Sequence, residues 1–176
     1  MSLRMKYERD WGRLGLKCKL EELIDQALTM LYCEDSYLIV HEPINVDETN
    51  KEDIHVSERG IVFRFGIYLQ ELFNQHEELS HYNIDTEYNR NFDKPKILSN
   101  TKWSDRGAYP DLIVHTRGSN SENLLIIEFK AWWSTESEID DKTKLIAFKG
   151  APYNYKYALF VILGKNRPCL EWVRGN

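Results

Sequence analysis

Apolar positions change their spacing several times along the chain, and each change marks an element. Over residues 18–33, Leu20, Leu23, Ile24, Ala27, Leu28 and Leu31 recur at helical intervals, with Glu21, Glu22 and Asp25 on the other side. That pattern predicts an amphipathic helix lying on a core. Residues 37–40 read as a short apolar strand, and 45–53 as a polar, acidic loop. Ser57 then stands as an N-cap, and Ile61, Phe65, Tyr68, Leu69, Leu72 and Phe73 behind it predict a second helix. The period drops to two over residues 82–90, where Ile84, Thr86 and Tyr88 alternate with Asp85, Glu87 and Asn89 as in a strand. A long connection over 91–109, rich in Asn, Lys, Ser, Asp and Gly, separates that strand from the next. Connections of this length are uncommon unless they carry function.

Two apolar, β-branched runs follow, around residues 111–115 and 123–130. The polar string Arg117-Gly118-Ser119-Asn120-Ser121-Glu122 between them predicts an antiparallel hairpin. Downstream, residues 134–137 form a cap region for a helix over 139–148 that Gly150 stops. Residues 157–163 make a buried strand and 169–173 an edge strand. The chain thus reads as an α/β domain of 176 residues, one unit over 1–176, with a central mixed sheet flanked by helices.

The hairpin carries charge where an apolar strand should not. Asp111 opens its first strand, and Glu128 and Lys130 lie two apart near the end of the second, on one face, with Phe129 on the other. With Arg117 opposite Glu122, Asp111 falls opposite Glu128. Two carboxylates and an amine then converge. Such acids repel one another unless a cation lies between them, and their hard oxygens suit Mg²⁺ or Mn²⁺. A water on that ion is the nucleophile that phosphodiester hydrolysis requires.

Pro110-Asp111 followed by Glu128-Phe129-Lys130 resembles the PD-(D/E)xK motif of the restriction-endonuclease-like nuclease superfamily. The resemblance covers about residues 57–163 and implies that superfamily's α-β-β-β-α-β core. The strings at 87–90 and 111–117 are similar to those of small prokaryotic members. The implied activity is metal-dependent cleavage of DNA. Asp111 and Glu128 would hold Mg²⁺ (or Mn²⁺), with the Phe129 carbonyl as a further ligand, and Lys130 would steer the attacking water. Glu58 resembles the upstream acid that many members carry before the first core strand, completing the metal's shell. Helical phase, at about 100° per residue, favours it over Glu71, because Glu58 shares the meridian of Phe65, Leu69 and Leu72. A first-turn carboxylate placed by the helix dipole is the competing explanation. For the trio itself, the competing explanation is an ion-pair cluster at a strand end.

Charge complicates a nucleic-acid partner. The net charge is -5, and residues 20–87 hold 16 acidic and 3 basic side chains, whereas residues 142–170 hold six lysines and arginines and no acid. The asymmetry suggests one anion-facing side, or ordinary solvated lysines. Candidate phosphate contacts are Arg90, Lys102 and Arg106 near or on the long connection, where Lys96 and Trp103 also lie, and Lys144 on the last helix. That connection reads either as a substrate-facing loop or as plain surface. Lys144 reads either as a phosphate contact oriented by Asp141 or as half of an exposed ion pair with it. His115, alone in an apolar strand, is assigned no catalytic role.

Cys18, Cys33 and Cys169 are odd in number and widely spaced, which predicts buried thiols and argues against a disulfide framework or a zinc site. No run approaches the roughly 18 apolar residues of a membrane span. The N-terminus does not read as a signal peptide, so a cytoplasmic protein is expected. Expected partners are DNA, a divalent cation and no membrane, with a homodimer left open. Two rivals to the nuclease stand: a catalytically silent nucleic-acid- or protein-binding module on the same fold, and a hydrolase of another phosphorylated substrate.

Overall fold

The computed structural model describes residues 13–40, 55–99 and 101–175. Helix α1 (Arg13–Glu34) buries the stripe Leu20, Leu23, Ile24, Ala27, Leu28 and Leu31. A single 3-10 turn, Ser36–Leu38, follows in place of the strand expected over 37–40. The reason is local. Leu38 N donates to Asp35 O and Ile39 N to Ser36 O, folding the chain back on itself, while Tyr68, Tyr37 and Arg64 all anchor the Asp35 carboxylate. Four apolar residues do not by themselves distinguish strand from turn. The acidic loop expected over 45–53 lies outside the described residues.

Helix α2 (Glu58–Asn74) follows Ser57 and buries Ile61, Val62, Phe65, Leu69 and Phe73. Strand β1 (Asn83–Thr86) is shorter than the run expected to reach residue 90, because Glu87 adopts φ +50° and breaks the extended backbone. The long connection is partly ordered into a small hairpin, β2 (Arg90–Asn91) with β3 (Lys94–Pro95). Then come β4 (Leu112–His115), β5 (Leu125–Ala131), helix α3 (Glu138–Lys149), β6 (Tyr157–Leu163) and the edge strand β7 (Pro168–Trp172).

The main sheet runs β1-β4-β5-β6-β7. Only β5 and β6 are parallel, and α3 makes the crossover between them that parallel strands need. Alternation along the strands divides the core in two. Leu112, Val114, Leu125, Ile127, Phe129, Leu159 and Val161 face α1 and α2, while Ile113, Ile126, Ala158 and Phe160 meet Leu145 and Phe148 of α3. The protein is therefore α/β with helices on both faces of a five-stranded mixed sheet. The three cysteines, expected to be buried, are exposed. Cys18 and Cys33 lie off the buried stripe of α1, and Cys169 lies on the edge strand. Among the described residues no helix is long and apolar enough to cross a membrane.

Candidate active site

The hairpin register pairs Leu112 with Ile127 and Ile113 with Ile126, and the same count sets Asp111 opposite Glu128. Both side chains belong to the sheet face that meets α3. Beyond Leu112, however, β5 outruns its neighbour: β4 has ended, while β5 continues to Ala131. Successive alternate amides on that buried but unpaired edge then need acceptors. Phe129 N donates to Asp111 Oδ2 at 2.7 Å, and Ala131 N donates to Glu58 Oε2 at 2.6 Å. Two carboxylates thus stand in for the missing strand. Glu58, at the first position of α2, reaches the site as helical phase predicted, and Glu71 is exposed.

Helix α3 supplies the rest. Glu128 is wholly buried, and Lys144 Nζ is ion-paired with its Oε2 while also donating to the Tyr109 carbonyl at 3.2 Å. Lys130, likewise buried, pairs with Asp141 Oδ2 at 2.6 Å. The two pairs are reciprocal: a strand acid with a helix lysine, and a strand lysine with a helix acid, at spacings of two and three that match each element's own period. Lys144 is therefore not half of an exposed pair with Asp141, one of the two readings its position allowed; it is buried on Glu128. Asp141 as the partner of Lys130 was not anticipated. A signal for both existed, since Asp141, Lys144, Leu145 and Phe148 fall at i, i+3, i+4 and i+7, and the last two are the apolar residues α3 buries.

Four carboxylates, Glu58, Asp111, Glu128 and Asp141, face two ammoniums. Burial, and then the charge of Asp111, push the Glu128 carboxyl well above the usual range. Burial likewise raises Asp111 and Glu58. For Lys144, burial opposes the charge, but Glu128 and Asp111 outweigh it and the ammonium is held more firmly than usual. Lys130 behaves the same way through Asp141. Glu128 Oε1 is buried with no donor to it from nitrogen or hydroxyl, and the Glu128 carboxyl lies against that of Asp111, so either a proton shared by the two acids or a cation fills the gap. Hard oxygens, a surplus of negative charge and an orphaned acceptor fit a divalent cation. Among the described residues, no three His, Cys, Asp or Glu side chains already stand together in position to hold one. Glu128 would have to be shared with, or released by, Lys144. Phe129 turns its ring to the other face, against Phe65, with ring centroids 5.2 Å apart.

The long connection does border this cluster. Tyr109 touches Lys144 through its carbonyl, the Trp103 ring lies 5.8 Å from Lys144 Nζ, and Lys102 bridges to Asp140 of α3 at 2.5 Å. Arg90 and Arg106 are exposed. Lys96 is not surface charge: it is buried, its ammonium bonded to the Arg90 carbonyl and 4.5 Å from the Tyr88 ring centroid. His115 is buried against Asp85, with Nε2 to Oδ2 at 2.9 Å, beside the Arg117 pair to the same carboxylate. Glu87 pairs with Arg59 at 2.6 Å, and its amide donates to the Asp111 carbonyl. Compared with protein-family models, curated proteins and solved structures, the chain matches none.

Proposed function

We propose that the protein is a metal-dependent phosphodiester hydrolase, a DNA endonuclease of restriction-endonuclease-like fold. The order α2, β1, β4, β5, α3, β6 supports an α-β-β-β-α-β core. The observation that carries the reading is Glu128: a wholly buried carboxylate with an orphaned oxygen, beside Asp111, in a cluster with more acid than base. Asp111 and Glu128 would hold Mg²⁺ or Mn²⁺, with the Phe129 carbonyl and Glu58 completing the shell. The ion, when bound, would lower the pKa of its water and offset charge on the phosphate. Asp141 holds the Lys130 ammonium on the Glu128 side of the strand, where it can orient a water by donating to it but cannot ligate a cation. Asp111 and Glu58 are fixed by the β5 amides, so the oxygens are preorganised on rigid backbone.

The test is cleavage at low salt, with Mg²⁺ and with Mn²⁺, over single- and double-stranded DNA and RNA. An acidic protein loses phosphate contacts steeply as ionic strength rises. Asp111→Ala and Glu128→Ala should each abolish turnover, whereas Lys130→Ala should abolish turnover and spare Mn²⁺ binding. A second reading, a silent binding module, is favoured by the edge capping, which gives Asp111 and Glu58 a structural task without any ion. Wild-type protein that binds Mn²⁺ yet cuts none of these substrates would establish that reading over the nuclease.

A further inference from the structure

We infer that Lys144 is a displaceable counter-ion: its ammonium occupies the Glu128 carboxylate in the absence of metal and competes with a divalent cation for it. The inference rests on the metal site proposed above and adds a regulatory residue to it. Its basis is geometric. Glu128 is 0% exposed and Lys144 8%, so water cannot compensate either charge, and the two are in direct contact through Oε2. An ion that takes Glu128 must break that contact or share it, and the unfavourable work appears as lost metal affinity.

The surroundings give the ammonium somewhere to go. Its second contact, the Tyr109 carbonyl at 3.2 Å, belongs to the connection that precedes β4, and the Trp103 ring of the same connection lies 5.8 Å away. Release from Glu128 leaves a cation between that connection and the site, where a phosphate oxygen can replace the carboxylate. Metal and phosphate then assist each other, since the first frees the group that the second uses, and linkage makes the effect reciprocal. Lys130 cannot play this part, because the carboxylate it pairs with, Asp141 at 2.6 Å, is not among the proposed ligands. Lys142, half-buried on the same helix and reaching past Phe160 to the edge strand, pairs instead with Glu171 at 2.8 Å and makes a control that does not touch Glu128.

The experiment measures Mn²⁺ affinity by electron paramagnetic resonance on the folded protein, without substrate, for wild type, Lys144→Met, Lys144→Gln, Lys142→Met and Glu128→Gln. Thermal melts confirm that each variant is folded. Lys144→Met and Lys144→Gln should bind Mn²⁺ at least about tenfold more tightly than wild type, equivalent to about 1.4 kcal/mol. Lys142→Met should match wild type, and Glu128→Gln should lose the site. Equal or weaker affinity in a folded Lys144 variant, with the site still lost in Glu128→Gln, overturns the counter-ion and leaves the metal site standing. Wild type and Lys144 variants that all fail to bind Mn²⁺ overturn both. Should Lys144→Met not fold, Lys144→Gln decides, because its amide can still reach the Tyr109 carbonyl.

Discussion

Replacing Glu128 alone should destabilise the metal-free protein, and replacing Lys144 with it should recover most of the loss. Repulsion between Asp111 and Glu128, considered by itself, gives the opposite sign, since removing one acid would relieve the other. The structure adds a third charge. Glu128→Met strands the Lys144 ammonium at 8% exposure with only the Tyr109 carbonyl as a direct partner and Asp111 and Asp141 as neighbouring charges. Breaking a buried pair from one side costs about 3–5 kcal/mol, and the remaining acids place this case near about 3 kcal/mol. Glu128→Met with Lys144→Met exchanges the pair for two unbranched apolar chains of similar length. Such exchanges are close to neutral.

Urea unfolding at neutral pH with a chelator present would measure it. With a slope of about 2 kcal/mol/M, the single variant should shift the midpoint down by about 1.5 M, at unchanged slope. The coupling in the double-mutant cycle should exceed about 1.5 kcal/mol. A Glu128→Met protein as stable as wild type, or a double variant no better than the single, would refute the idea that the pair is buried and mutually dependent.

Asp141→Asn should slow turnover at least about tenfold while leaving Mn²⁺ affinity within about twofold, because it loosens Lys130 without touching the proposed ligands; turnover at the wild-type rate would remove Asp141 from the site. Glu58→Ala should free the Ala131 amide, seen as faster hydrogen exchange there than at the Leu125–Ile127 core of β5, and exchange at the wild-type rate would show that water or backbone already serves that amide. Burial lowers the Lys96 ammonium from its ordinary value to about 8, so between pH 8 and the unfolded-state value near 10.5 the unfolded chain binds more protons and stability rises with pH. From pH 7.5 to 10 wild type should therefore gain about 2 kcal/mol relative to Lys96→Met; parallel pH profiles would mean that the ammonium is hydrated.

Local periodicity was enough to place several residues. Period two put Asp111, Glu128 and Lys130 on one sheet face, and the even-numbered turn gave the pairing that Leu112 and Ile127 display. Helical phase separated Glu58 from Glu71 for the same reason: both depend on dihedral angles that repeat along one element. The end of β1 was not legible, because a run of alternating residues does not reveal that Glu87 will adopt a positive φ. Nor was the fate of Lys96, Cys18, Cys33 or Cys169, whose burial or exposure depends on what another segment covers.

What only the tertiary structure decided is the partnership across elements. Leu145 and Phe148 seat α3 on Ile126 and Phe160, and that seating fixes the helix's rotation and height over the sheet. Only then do Asp141 and Lys144 meet Lys130 and Glu128 rather than each other. The overhang of β5 past β4, which turns Asp111 and Glu58 into edge caps, is likewise a relation between strand lengths. The sequence determined which groups share a face, because a face follows from local geometry; packing decided which charges touch, because contact depends on how separate elements are set against one another.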